Sequence, residues 1–149
     1  MNEAARTERN LAWRVLAHEA GDDQSVDGLA DATERAFDRL YHHLAPLIGP
    51  AGFDALAKRA LHLARLECPY LGRVVGAIQV DAFQLQGLRA SVEGREPDEV
   101  REGLVALLGT FFWLLVTFVG DGLFWKLFRG VWPDVPSKDE GLGAEETEE

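Results

Sequence analysis

The apolar segment over residues 104–132 limits the possible folds more than any other feature of the chain. Eight of the fourteen aromatic residues lie between positions 111 and 132. Burying one large apolar side chain contributes roughly 1.5–3 kcal/mol, so eight exposed aromatics would forgo on the order of 10–20 kcal/mol. That loss rivals the roughly 5–15 kcal/mol net stability of a typical domain. The fold must therefore cover this segment.

Apolar residues recur with helical spacing along most of the chain, and no segment has a convincing strand pattern. The first half predicts a weakly amphipathic helix over 3–19 and a clearer one over 25–48. Gly49-Pro50 is typical of a helix end followed by a new helix start. A second helical arm then runs until Pro69 stops it.

The second half of the chain is predicted to be helical over 70–93, although residues 78–86 also alternate as a strand would. Pro97, followed by two acidic residues, favours the start of a long apolar helix. A break at the Gly-Asp-Gly of 120–122 follows, with Asp121 as a helix cap for a last short helix that ends near Gly130.

These elements predict an all-α fold, a bundle of five to six helices with a central apolar helix near 98–119. Globin-like orthogonal packing is the alternative, because short turns do not set crossing angles. We expect one helical domain over 1–133 and a disordered acidic tail over 134–149, where charge is high and aromatics are absent.

Charge and cysteine content exclude several classes of protein. The formal net charge is -10, of which the tail carries -6 through seven acidic residues and one lysine. A nucleic-acid partner is not expected, because binding requires a basic surface. The single cysteine, Cys68, forms no internal disulfide, and the chain opens without a signal-like segment, so we expect a cytoplasmic protein.

Three surroundings could cover the apolar segment. The first is the protein's own core, since a helix that is apolar all round is usually buried. The second is a homodimer or protein partner bound at the aromatic C-terminal edge, formed by Phe124, Trp125, Phe128 and Trp132. The third is a membrane, because the uncharged run over 103–120 would be about 27 Å long as a helix. A tryptophan in the middle of this run argues against membrane association.

The polar candidates are few. Glu34, Asp38 and His42 are four residues apart and share one helix face, while adjacent His42 and His43 point in different directions and cannot easily share one ion. Bundle metal sites use Glu-x-x-His, which does not occur here, so a solvated polar face is favoured and no metal or other cofactor is expected. Asp121 is a further possible polar site, with helix capping as the favoured interpretation.

No catalytic signature emerges from these patterns. The sequence predicts a non-enzymatic binding or regulatory domain, sensor-like in character, that acts through protein–protein or homodimer contacts. The alternatives are a haem- or metal-binding protein or small enzyme that uses His42 or His43, and a membrane-associated protein that uses residues 103–120.

Overall fold

The computed structural model describes residues 3–135, with side chains from residue 6 onwards. This part of the chain contains five α-helices, a 3₁₀ helix and one two-stranded antiparallel sheet. In chain order these are α1 (Glu3–Ala20), α2 (Val26–Glu67), the 3₁₀ helix (Pro69–Arg73), β1 (Val75–Gln79), β2 (Ala82–Gln86), α3 (Leu88–Val92), α4 (Pro97–Val119) and α5 (Asp121–Val131). From residue 136 onwards the predicted disordered tail lies outside the described residues.

Helix α4 is the centre of the fold, as the apolar pattern predicts. Its most extensive contacts are with α2 and α1, and its residues from Gly103 to Gly109 are all buried. By length and composition α4 could also cross a membrane, with a mean hydropathy of 2.0 over its most apolar window, of which 56% is buried in this fold. The all-α helical bundle is confirmed.

The predicted break at Gly49-Pro50 is a sharp kink inside α2. Gly49 has φ +83°, a left-handed conformation that glycine adopts without steric cost. The rings of Tyr41 and Phe53 lie 5.4 Å apart, whereas twelve residues of straight helix would separate them by about 18 Å. The two arms of α2 therefore fold towards each other.

The prediction of one helix over 70–93 is wrong. The range begins in the 3₁₀ helix Pro69–Arg73, residues 75–86 form a β-hairpin in which Ile78 is paired with Phe83, and the five residues Leu88–Val92 that follow are α-helical. The alternation of residues 78–86 was the correct signal, because Phe83 and Leu85 point into the core while Gln84 and Gln86 are exposed. The hairpin turn carries no Asn-Gly or Asp-Gly, the pair that usually reveals one.

Four buried phenylalanine rings hold the hairpin against the helices from inside. Phe83 of β2 packs edge-on against Phe53 at 5.0 Å between ring centroids, and Phe53 lies 5.3 Å from Phe111 of α4. Phe37 completes the cluster at 5.3 Å from Phe111. The hairpin is thus fixed to both α2 and α4, which leaves its outer side free to form a groove with α2.

Candidate functional site

An open groove of about 680 Å³, lined by both charged and apolar side chains, lies between α2, the strand β2 and the start of α3. This volume is within the range of about 300–1,000 Å³ that is typical of ligand pockets. Its charged lining residues are Asp31, Glu34, Arg35, Asp38 and Arg89. The groove therefore combines the acidic face of α2 with the polar side of the hairpin.

Helical spacing places the acidic groups together. Asp31, Glu34 and Asp38 follow one another at intervals of three and four residues, so they share one face of α2. Glu34 and Asp38 were both candidates from the sequence, and both line the groove. His42 continues the same row and contacts the hairpin turn beside the groove.

Asp38 joins the helix to the strand. The backbone N–H of Phe83 donates to Asp38 Oδ1 at 3.0 Å. Within the pairing of β1 and β2, successive residues direct their backbone groups alternately towards and away from the partner strand. The Phe83 amide points away from β1, and Asp38 satisfies it. This contact closes one end of the groove.

The two arginines of the groove already have acidic partners. Arg89 forms ion pairs with Asp31 and with Asp27. Arg35 pairs with Glu19 of α1 and also donates to the backbone carbonyl of Glu19. Both arginines are thus engaged by acidic groups, Arg89 by two carboxylates and Arg35 by Glu19, which also pairs with Arg39.

Glu34 is the carboxylate that is left over. It is partly buried and forms no ion pair or hydrogen bond within residues 3–135. Burial raises the pKa of Glu34, and the neighbouring charge of Asp31 raises it further, with Arg89 acting in the opposite direction. A positively charged ligand would favour the ionised form of Glu34 and offset the repulsion from Asp31.

His42 and His43 make contacts within the protein. His42 lies with Nδ1 2.9 Å from the carbonyl oxygen of Asp38 and with Nε2 3.1 Å from that of Asp81. His43 Nδ1 lies 3.2 Å from the carbonyl oxygen of Arg39 on its own helix. Across the described side chains, no group of three or more histidine, cysteine or acidic residues is placed to hold a metal ion.

The four aromatic residues predicted to contact a partner lie inside the chain's own core. Phe124, Trp125, Phe128 and Trp132 are between 1% and 7% exposed. The ring of Phe112 on α4 is 5.7–6.1 Å from the rings of Phe124, Phe128 and Trp132. In this fold they offer no surface to a second molecule, and the homodimer stays a prediction without an assigned contact.

Asp121 lies away from the groove, at the start of α5. Its predicted role as a side-chain cap is wrong, because Gly120 is the N-cap residue and no side-chain capping bond is formed. The Asp121 carboxylate instead accepts a hydrogen bond from Trp125 Nε1 at 3.1 Å. It is exposed and fixes an aromatic side chain of the same helix.

Several residues of the groove were not found by sequence reasoning. Asp31 and Arg35 belong to the same helical face as Glu34, so the spacing of that row could have included them. Gln84, Gln86 and Arg89 could be found only once the hairpin was recognised.

The comparisons with known proteins give no match: no family model, no curated protein and no solved structure corresponds to this chain. The geometry of the groove therefore has to support the functional interpretation by itself.

Proposed function

We propose that the chain is a non-enzymatic binding domain that recognises a positively charged side chain of a protein partner in the groove between α2 and β2. The observation that carries this proposal is the partly buried carboxylate of Glu34, which forms no hydrogen bond or ion pair among the described residues and feels Arg89 only as a nearby charge. A lysine ammonium or an arginine guanidinium could donate directly to this carboxylate.

The surroundings of Glu34 favour a cation over an anion. Asp31 and Asp38 lie one turn away on either side of Glu34, and the arginines that could attract an anion are paired with acidic groups. A hydrogen bond between a carboxylate and a charged donor is roughly twice as strong as one between neutral groups. The groove is thus suited to one positive charge.

The other wall of the groove suits a peptide-like ligand. Gln84 and Gln86 of β2 are exposed and line the groove. A glutamine side chain offers both an acceptor oxygen and an NH₂ donor, as a peptide group does. The groove therefore provides a charged contact on the helix side and neutral hydrogen-bonding groups on the strand side.

A binding experiment with small probes tests the proposal. Nα-acetyl-lysine amide, whose side-chain ammonium is free, and a short peptide of alternating lysine and serine should bind at low salt. Nα-acetyl-norleucine amide, which has no charge, should not bind. Glu34→Gln should weaken the binding about tenfold, because a charged hydrogen bond contributes roughly 1.5–3 kcal/mol, and 1.4 kcal/mol corresponds to tenfold. Isothermal titration calorimetry measures both effects.

The matched control is Glu102→Gln, which removes a carboxylate from α4 outside the groove. It should leave the affinity unchanged. Equal affinity for the lysine and norleucine probes, or equal loss in both variants, would show that the groove does not recognise a cation. Added salt should weaken the binding of the lysine peptide in the wild-type protein, as screening requires.

A further inference from the structure

Three polar contacts fasten the turn of the hairpin to α2, next to the groove. The Phe83 amide donates to Asp38 Oδ1 at 3.0 Å, and the hydroxyl of Tyr41 donates to Asp81 Oδ1 at 3.2 Å. The third contact joins His42 Nε2 to the carbonyl oxygen of Asp81 at 3.1 Å. The position of β2 at this end of the groove depends on these contacts.

The His42 ring faces oxygen atoms on both sides. Nδ1 is 2.9 Å from the carbonyl oxygen of Asp38 and 3.5 Å from its carboxylate oxygen Oδ1, while Nε2 faces the carbonyl oxygen of Asp81. A neutral imidazole carries one N–H, so either tautomer directs a nitrogen lone pair at an oxygen. Only the doubly protonated ring can donate to both sides.

The charged and titratable groups around the ring act in the same direction. Asp38 of α2 and Asp81 of the hairpin both favour the imidazolium, and Tyr41 packs edge-on against the His42 ring at 5.3 Å. Burial raises the pKa of Tyr41, so its hydroxyl stays protonated near neutral pH and keeps its bond to Asp81. The hydrogen bond to the Asp38 carbonyl is the largest cause that raises the pKa of His42, with burial opposing it.

The turn that His42 holds has an uncommon backbone. Val80 and Asp81 both have positive φ, +50° and +57°, although neither is glycine. A β-branched residue with positive φ is a genuine outlier. The Val80 side chain is 99% exposed and contributes no packing. The docking contacts of Asp81 therefore have to stabilise a turn that its own sequence does not favour.

We propose that protonation of His42 locks the hairpin turn onto α2, so that the wall of the groove is held firmly in mild acid and loosens as the pH rises. The claim that the groove binds a ligand rests on the proposed function. The pH-dependent contact between His42 and the hairpin turn does not depend on it. The sign follows from linkage: docking raises the pKa of His42, so the docked state is favoured below that pKa and loses its advantage above it.

Amide hydrogen exchange on the ligand-free protein tests the lock, with protection factors corrected for intrinsic exchange. Protection of the amides of Phe83 and its hairpin neighbours should rise about three- to tenfold when the pH falls from about 8 to about 5.5, since one pKa unit corresponds to tenfold. His42→Gln should remove this rise. His43→Gln is the matched control and should keep it, because His43 contacts only its own helix among the described hydrogen bonds.

Two NMR readouts keep the test independent of folding effects. The pKa of His42 in the wild-type protein should be above the ordinary value for histidine, and Tyr41→Phe should lower hairpin protection at every pH while the pH dependence remains. An equal pH dependence in wild type and His42→Gln, or a His42 pKa at or below the ordinary value for histidine, would overturn the lock. If N-acetyl-lysine amide binds but hairpin protection does not depend on pH, the proposed binding site is supported and the lock is overturned. If hairpin protection depends on pH but the lysine probe does not bind, the lock is supported and the proposed binding site is overturned.

Discussion

The aromatic region of α4 and α5 and the polar region of α2 and β2 stabilise the same fold by different means. In the aromatic region, Phe112 lies within 6.1 Å of three other rings, and all of them are almost completely buried. In the polar region, single hydrogen bonds join residues that are 40 and 45 positions apart, as between Tyr41 and Asp81 or Asp38 and Phe83.

The two regions differ in how far their side chains find partners within the described part of the chain. Apolar burial is non-directional, and most aromatic side chains of this region achieve it within the chain, while Phe118 stays exposed. Hydrogen bonds and ion pairs need specific partners, and in the polar region the carboxylate of Glu34 forms neither among the described residues. The concentration of aromatic residues therefore indicates a core, whereas the carboxylate of Glu34 is the feature on which the proposed binding surface rests.

The largest expected effect tests the aromatic region as a core. Phe112→Ala should lower the free energy of unfolding by about 3–5 kcal/mol, because it removes a fully buried ring and leaves a cavity. Urea denaturation followed by tryptophan fluorescence measures the change.

The control for Phe112 is Phe118→Ala on the same helix. Phe118 is 63% exposed, so this variant should change the stability by no more than about 0.5 kcal/mol. A loss of similar size in both variants would mean that the end of α4 is also covered, for example by a second copy of the chain, and the contrast between the regions would fail.

The two regions were not equally predictable from the sequence. The start of α4 at Pro97, the kink at Gly49 and the burial of the central helix follow from local residue types and apolar spacing. The hairpin was missed because Val80 is not a typical turn residue and no glycine follows Asp81, so the turn conformation depends on distant contacts of Asp81 to Tyr41 and His42. The groove itself was not predicted: the sequence indicated Glu34 and Asp38 only as a possible polar site on a solvated helix face.

A substitution in the turn examines the polar region with a smaller expected effect. Val80→Asn should increase the free energy of unfolding by about 0.5–1 kcal/mol, because asparagine tolerates positive φ better than a β-branched residue. The Val80 side chain is 99% exposed, so no packing is lost. Thermal denaturation checks the gain. Destabilisation would mean that the turn is held in this conformation by something other than the contacts of Asp81.

The smallest effect concerns Glu8, a buried acid of α1. It is 7% exposed, and its Oε1 has no hydrogen-bond partner among the described residues. Burial raises the pKa of Glu8, and Asp121 raises it further, against a backbone hydrogen bond that lowers it. Stability therefore falls as the pH rises through this raised pKa.

Glu8→Gln should remove that loss and add about 0.5 kcal/mol or slightly more to the free energy of unfolding at about pH 8. At about pH 4 the variant and the wild type should be equally stable. Urea denaturation at the two pH values makes the comparison. A variant that is less stable at about pH 8 would show that the Glu8 carboxylate has a partner that stabilises its charged form.

The most direct test of the binding surface is a map of amide chemical-shift changes when N-acetyl-lysine amide is added to the ¹⁵N-labelled protein. We expect the changes to cluster on residues 31–38 of α2 and 82–90 of the hairpin and α3, and to be smaller in Glu34→Gln at the same ligand concentration, in keeping with an affinity about tenfold weaker. Changes centred instead on the exposed apolar residues Phe118 and Leu123 at the junction of α4 and α5 would contradict the assignment of the groove.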